Sequence, residues 1–376
     1  MGNICIVNKK VVAKNQKLKQ TQRKSGRHYQ NKMFEKVNNA PRAKIRKIAE
    51  LDEIPFEEYK TSHNQANGIS LSELSKEQLI ELCKRVQLTG RSGNGFPTYK
   101  KLESFHARNG ILIINAVECD PGLVHDAWIY KNCMAEVLEG VRLVKNSLEI
   151  REVILATKEP LNCNLDIRQI KVPDRFPMGY EKSLIKFVTG KDIPAGKHPT
   201  ECGILVLNLQ TMLAIAEAAV DEGMAKEKYI TIADVSEAAA RVTRVRVGDS
   251  IADIASILFT EQQREGKTLY AGSGAITCHM VNTEETVTEE TCYIAIGNAP
   301  EYEKAGKCKG CNACTKNCPV GVGVQKIVKL SEKKSLTSDM VKTLRADVCI
   351  GCGACTYGCM AGKDVREVIR CAKEKL

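Results

Sequence analysis

Cys308-Lys-Gly-Cys311-Asn-Ala-Cys314-Thr-Lys-Asn-Cys318-Pro319 and Cys349-Ile-Gly-Cys352-Gly-Ala-Cys355-Thr-Tyr-Gly-Cys359 share one spacing. Each is a C-x2-C-x2-C-x3-C run, the pattern by which bacterial ferredoxins hold a [4Fe–4S] cluster. In two-cluster proteins the fourth cysteine of a run serves the other cluster. The spacing therefore assigns Cys308, Cys311, Cys314 and Cys359 to one cluster, and Cys349, Cys352, Cys355 and Cys318 to the other. Zinc would use two separated ligand pairs and leave the extra cysteines idle. Disulfides belong to small secreted scaffolds, and neither such a scaffold nor a secretory signal is visible in the sequence. Two adjacent clusters pass electrons, so the rest of the sequence should supply a donor and an acceptor.

The chain has 376 residues, enough for two or three domains, and 43% apolar residues, enough for real cores. Eight of its seventeen cysteines lie in the two runs; others, such as Cys83, Cys133 and Cys371, read as small buried hydrophobes. No apolar run reaches the length of a membrane span, and Met1-Gly2 lacks the Ser or Thr at position 6 of a myristoylation signal, having Ile6 instead. The expectation is a soluble protein of a reducing, low-oxygen cytoplasm. The net charge of +11 is misleading as a global property. Residues 1–47 hold fourteen Lys or Arg and one acid, Glu35, so the basic excess sits in a tail that reads as disordered. Binding to nucleic acid would rest on that tail alone, which argues against such a role for the folded body.

A helix fits Leu71–Gln87, with Ser70 or Ser72 as its cap. Gly90-Arg-Ser-Gly-Asn-Gly-Phe-Pro-Thr98 follows, with Arg91, Lys100 and Lys101 supplying charge; alone it is a weak cofactor signal beside a plain glycine turn. Ile111–Val117 reads as a buried parallel strand that ends in Asn115-Ala-Val-Glu118-Cys-Asp120-Pro-Gly122. Cofactors in open α/β sheets sit beyond such carboxyl ends. A helix over Asp126 to Lys145, a strand over Arg151–Thr157, a helix from Arg175 to Thr189 and a strand over Cys202–Leu207 complete an alternating pattern. Residues 229–297 read as a β-rich module, with Cys278-His279 as a buried thiol beside a surface imidazole and Glu284–Glu290 as a solvated hairpin.

These motifs resemble the flavin-binding core of the NADH-oxidising subunit of respiratory complex I, and more closely the C subunit of the Rnf complexes. The residues that carry the likeness are Gly90, Gly93, Gly95, Phe96, Pro97 and Thr98; Asn115, Glu118, Cys119 and Asp120; Phe176, Pro177, Gly179, Glu181 and Lys182; and Val206, Asn208, Leu209 and Thr211. The resemblance covers roughly residues 65–376. It implies an α/β flavin/NADH-binding core, a small ubiquitin-like (β-grasp) module and an α+β dicluster ferredoxin domain. It divides the chain into a tail over 1–60, an FMN/NADH domain over 61–228, the module over 229–299 and the ferredoxin domain over 300–376. FMN would lie in the glycine loop, with Gly90, Arg91, Gly93, Gly95, Lys101, Asn115, Gly179, Glu181, Asn208 and Thr211 about it. Glu118 and Asp120 would border NAD(H).

Two departures stand out. Tyr180 replaces a family glycine, narrowing the backbone approach to the flavin, and Ser92 replaces another. The resemblance implies an NADH-linked electron-transfer oxidoreductase working with a protein partner, either a reductase, D-proline reductase being one served by such proteins, or the other Rnf subunits at the inner face of the cell membrane. The competing reading is a cluster-bearing scaffold with a degenerate flavin pocket.

Overall fold

The computed structural model describes residues 73–376, apart from 121, 161–166, 175, 195–196 and 299–305. The basic tail, Ser70 and Ser72 lie outside the described residues. The first helix, α1 (Lys76–Arg85), is capped by Ser75 in a reciprocal capping box with Gln78. That pairing satisfies two backbone donors at once. The helix is therefore shorter at both ends than the apolar periodicity implies. Helix α2 (Thr98–Glu103) follows the glycine loop.

The central sheet is parallel. Strands β1 (Ile111–Ala116), β2 (Glu152–Thr157), β3 (Arg168–Lys171) and β4 (Ile204–Asn208) stand in the order β3-β2-β1-β4. Both faces of the sheet are covered. Leu112 and Ile114 of β1 and Leu205 and Leu207 of β4 enter one core, while Ile113, Ile204 and Val206 enter the other. Continuous apolar runs are what two-sided burial demands. Strand β3 escapes notice in the sequence because its residues, Arg-Gln-Ile-Lys, are half-buried or exposed at a sheet edge.

The single helix expected over Asp126–Lys145 is two helices, α3 (His125–Asn132) and α4 (Met134–Ser147), which meet at Cys133. Cys133 has φ −124°, outside helical values, so one axis cannot continue through it. Helix α5 (Glu181–Thr189) starts later than the sequence implied and ends at Gly190 in the left-handed region. Helix α6 (Leu209–Val220) begins at Asn208, whose side chain caps it.

A second, mixed sheet holds β5 (Glu227–Asp234), β6 (Ala239–Arg246), β7 (Lys267–Gly272), β8 (His279–Met280) and β9 (Tyr293–Asn298) in the order β6-β5-β9-β7-β8, with α7 (Ile251–Leu258) packed on it. The module is joined to the parallel sheet by a shared core. Tyr229, Ala233, Tyr270 and Tyr293 pack in the same cluster as α3, α4 and α6. Arg244 spans the same seam, reaching Glu217 of α6 at 3.1 Å and Glu227 at 2.7 Å.

The Glu284–Glu290 stretch is not merely a solvated hairpin. Val287 is buried, Glu285 pairs with His279 at 2.5 Å, and Glu289 pairs with Arg91 at 2.6 Å. Cys278 is fully buried, as the sequence indicated, whereas His279 is half-buried against Glu285 rather than free at the surface. Cys371 is exposed, contrary to its expected burial.

The C-terminal part consists of α8 (Ala313–Lys316), α9 (Val324–Glu332), α10 (Ser338–Thr343), α11 (Ala354–Tyr357) and α12 (Val365–Lys373) around a small core of Val322, Ile327, Val328, Val341 and Ile369.

Helices α4 and α6 cross so closely that a Cβ on Gly140 would lie 1.9 Å from the Met212 carbonyl oxygen. Alanine should gain about 1 kcal/mol of helix propensity. Overpacking against backbone costs about 1–3 kcal/mol or more and wins. Gly140→Ala is therefore expected to lower the melting temperature, measured by circular dichroism.

Candidate functional site

Strand β1 is the switch point of the parallel sheet. The chain moves from β1 to β2 and β3 on one side, then returns to place β4 on the other. Open α/β sheets bind ligands in the crevice at the carboxyl ends of the strands flanking such a point. The β1–β4 register pairs Asn115 with Asn208 at that end.

The side chains there are tied into one network. Asn208 Oδ1 accepts from the Gln210 amide at 2.8 Å, and its Nδ2 donates to Asp126 Oδ2 at 2.7 Å and to the Asn115 carbonyl at 3.4 Å. Asn115 Nδ2 donates to the Gly179 carbonyl at 2.8 Å, and its Oδ1 accepts from the Val117 amide at 3.0 Å. Lys101 Nζ donates to Glu181 at 2.8 Å and to the Val206 carbonyl at 3.1 Å. Glu118 accepts from the Asp126 and Ala127 amides at 3.0 and 3.4 Å, holding the start of α3. A negative group at a helix N-terminus is favoured by its free N–H groups and dipole. Gly179 must be glycine because a Cβ would lie 2.4 Å from the Val117 carbonyl oxygen. The sequence-derived residues Lys101, Asn115, Glu118, Gly179, Glu181 and Asn208 thus converge on one edge of the sheet.

The glycine loop is placed differently from expectation. Arg91 is 1% exposed and does not offer a free cation to the crevice. Its guanidinium is held by Glu289 and the Ala225 carbonyl, and its amide donates to Thr211 Oγ1 at 3.1 Å. Gly93 has φ +84°, and a Cβ there would sit 2.7 Å from Ser273 Cβ, so the loop lies against the β-module. Gly90 donates to the Phe96 carbonyl at 2.8 Å, closing the loop, while a Cβ on Gly95 would meet Glu290 at 3.1 Å. Asp120 likewise turns toward the module. Its carboxylate accepts from Gly122 and Ala275 at 3.0 Å and from Ile276 at 3.3 Å.

Tyr180 takes the family glycine's place at no conformational cost. It has φ −67° and ψ 129°, ordinary extended backbone at the head of α5. Ser92 is not among the positive-φ residues. Neither substitution distorts the loop.

Sequence reasoning gave little weight to the groups beneath the crevice. His125 is buried, and burial, then Lys228, pushes its pKa down to about 3, so it is neutral. Burial, then the neighbouring Glu118, pushes Asp126 up to about 8, and Asp126 Oδ1 has no hydrogen-bond partner among the described residues. Lys158, which follows β2, donates to the Glu118 carbonyl and pairs with Asp174 at 2.8 Å. Its position at the same strand edge was the one available signal. The crevice at the switch point and an unsatisfied buried oxygen beside Asn208 fit a bound polar ring system such as FMN.

The cysteines sort into two cavities. One is lined by Cys308, Cys311, Cys314 and Cys359, the other by Cys318, Cys349, Cys352 and Cys355. Electrostatics follow the same grouping. Burial pushes the Cys355 thiol up to about 12, with Cys352 and Cys349 adding to it, and Cys352 up to about 11, with Cys318 and Cys349 adding. Cys314 is raised by burial, with Cys311, Cys359 and Cys308 contributing. Among the described residues no three potential ligands are placed to hold a single metal ion. Thiolates around a cube each bind a separate iron and stand further apart than a one-ion shell, so the donor sets fit [4Fe–4S] clusters. Backbone N–H groups of Val322 and Gly351 approach Cys318 and Cys349 Sγ at 3.3 and 3.5 Å.

Residues 83–217 match the model of the Nuo51 FMN-binding domain, and residues 307–363 match that of the 4Fe-4S dicluster domain. The C subunit of the ion-translocating oxidoreductase complex of Haemophilus influenzae (strain ATCC 51907 / DSM 11121 / KW20 / Rd) is 28% identical over 293 residues, covering 71% of this chain and 35% of that protein. The corresponding protein of Buchnera aphidicola subsp. Baizongia pistaciae is 27% identical over 270 residues, covering 67% and 52%. The chain spans about a third to a half of the length of these relatives. A crystal structure of NAD+-reducing [NiFe]-hydrogenase in the H2-reduced state superposes with a TM-score of 0.53 at 15% identity, over 79% of this chain and 61% of that one, which is a likeness of fold. The chain is thus similar to the Rnf C subunit and carries regions that match an FMN-binding domain and a 4Fe-4S dicluster domain.

The Asp126 carboxyl titrates at about 8 in the folded chain, against about 4 in an unfolded one. The stability tied to its protonated form is fully present below about pH 4 and drains away as pH rises to about 8. Asparagine has no such proton to lose. The melting temperature of Asp126→Asn, relative to wild type at the same pH, should therefore rise between about pH 5 and about pH 8 and level off above.

Proposed function

We propose that this chain takes electrons from NADH at a flavin in the β1–β4 crevice and delivers them singly through two clusters to a protein partner. FMN supplies two-electron to one-electron conversion, and [4Fe–4S] clusters carry electrons one at a time. The observation that carries this reading is the relation of the crevice to the cysteines. The pKa of Tyr180, next to Glu181 at the crevice, is raised by burial, by Glu181, and by Cys349 and Cys352. The cavity of Cys318, Cys349, Cys352 and Cys355 therefore neighbours the flavin side. A Cβ on Gly353, between two of those cysteines, would lie 2.8 Å from Ile276, in the loop that Asp120 holds. The other cavity reaches the surface at exposed Cys311.

In this reading Asn115, Asn208 and Lys101 fix the shape of the crevice and offer donors to the flavin. Glu118 sets the start of α3 and so the depth of the floor. Glu181 positions the Lys101 ammonium. No side chain need act as a general acid or base.

The named relatives favour the role of an Rnf C subunit over service to D-proline reductase. Among the described residues no helix is long and apolar enough to cross a membrane. A protein held at the membrane by its partners fits both facts.

Anaerobically reconstituted protein should release about one FMN on denaturation, hold about eight irons and reduce a dye with NADH. Asn208→Ala removes a helix cap and two further bonds, and should weaken FMN retention about tenfold, given about 1–2 kcal/mol for a cap. Full iron with no flavin would instead mark a cluster-bearing scaffold. Cys308→Ala should leave about four irons if each cavity holds its own cluster.

A further inference from the structure

A groove of about 580 Å³ lies between α1 and the end of α6, on residues that neither the flavin crevice nor the cysteine cavities use. That volume is in the range of ligand pockets. Leu74, Leu82, Ala218 and Ala219 give it an apolar lining, and Val220 beside them is 48% exposed. Glu77, Glu81 and Glu222 add three exposed carboxylates against one cation in the lining, Arg85. Arg85 is held by Glu222, to which its Nε and Nη2 donate at 3.1 and 2.6 Å. Glu77 and Glu81 stand four residues apart on α1, so they share a face and repel each other. Glu77 accepts from the Ser75 hydroxyl at 2.9 Å, and Glu81 has no hydrogen bond or ion pair among the described residues. The lysines of α1 are engaged on the α2 side. Lys76 donates to the Phe105 carbonyl at 2.6 Å, and Lys84 pairs with Glu103 at 2.6 Å. The helix thus sorts its charges, with its cations toward α2 and its acids on the groove.

We propose that this groove seats the chain's own basic segment Arg42-Ala-Lys44-Ile-Arg46-Lys47-Ile48, which lies outside the described residues. The segment carries four cations and no acid, with Ile45 and Ile48 among them. Its charges complement Glu77 and Glu81, and its isoleucines complement the apolar lining and exposed Val220. The chain is already at the right place. The described residues begin at Glu73, and Leu74 is part of the lining, so the preceding residues leave from the groove itself. Residues 49–72 form a connection that spans up to about 80 Å when extended, far more than a return to α1 needs. Tethering makes the encounter intramolecular, at an effective concentration of about millimolar for a short flexible linker. A contact of modest strength is then occupied ahead of a basic segment from another molecule. Effective concentration falls as the linker lengthens, which favours residues 42–48 over the more distant lysines between Lys9 and Lys24. Exposed ion pairs are individually weak and screened by salt, so the docked segment is released as ionic strength rises. The contact is independent of flavin and clusters.

The test uses the full chain, loaded with clusters and kept anaerobic. Limited trypsin digestion is followed by mass spectrometry at the bonds after Arg42, Lys44, Arg46 and Lys47, with cleavage between Lys9 and Lys24 as the internal reference. At about 25 mM NaCl, wild type should be cut at 42–47 at least about threefold more slowly than the Glu77→Gln, Glu81→Gln double variant, the scale of two exposed ion pairs. At about 400 mM NaCl the difference should shrink, because screening shortens the reach of both pairs. The Glu77→Asp, Glu81→Asp variant keeps the charges and should protect the segment as wild type does. A zero-length carbodiimide cross-linker should join Lys44 or Lys47 to Glu77 or Glu81. Chains of natural and heavy nitrogen, mixed before cross-linking, should give only light–light and heavy–heavy pairs. Mixed pairs would put a second copy in the groove and overturn the proposal. Cross-links to Glu77 and Glu81 from lysines outside 42–48 alone would overturn the assigned segment. Equal cleavage of wild type and the glutamine variant at low salt would overturn the groove as its seat.

Discussion

The parallel pairing of β1 with β4 is the constraint on which the site depends. It brings Asn115 and Asn208 side by side, although they are far apart in sequence. The amide of Asn208 then reaches Asp126, and that of Asn115 reaches Gly179. Four segments are fixed by two amide groups at a single sheet edge. A one-residue slip would exchange the faces of β4 and break both cores together, so apolar burial enforces the polar geometry. The crevice owes its shape to Leu205, Val206 and Leu207 as much as to the asparagines.

The β-module is a working part of this arrangement. Asp120 binds backbone N–H groups of Ala275 and Ile276, Arg91 binds Glu289, and Gly93 packs on Ser273. The module thereby holds the glycine loop from behind and meets the C-terminal domain through Ile276 and Gly353. In the Arg91–Glu289 pair the guanidinium is buried while the carboxylate is half-buried, so Arg91 without its partner would be costly to keep inside. Here the pair sets the position of the loop against the module.

Much of this was legible in the sequence. The grouping of the eight cysteines read from their spacing is the grouping in which they line the two cavities, and apolar runs marked β1, β2 and β4. The edge strand β3 was missed because its side chains carry no burial signal. The break at Cys133 was missed because no Gly or Pro announces it. Arg91 and Asp120 were read as facing the cofactor, since a motif shows which residues travel together and not which way they turn. Their partners, Glu289 and the 275–276 backbone, lie more than 150 residues further on. Tyr180, which replaces a family glycine, sits at a φ that any residue adopts, so the exchange costs the backbone nothing.

The two cysteine runs repeat more than their spacing. Each opens a short helix with Ala-Cys-Thr, and each threonine hydroxyl accepts from the first turn of the next helix, Thr315 from Gln325 at 2.9 Å and Thr356 from Arg366 at 2.7 Å. The halves are copies that trade their last cysteines, Cys318 and Cys359, across a common core. On the ribosome, a nascent chain that has made only the first copy possesses neither complete cradle. The cradle that includes Cys318 closes once Cys355 has emerged, and the one that begins at Cys308 closes last, with Cys359.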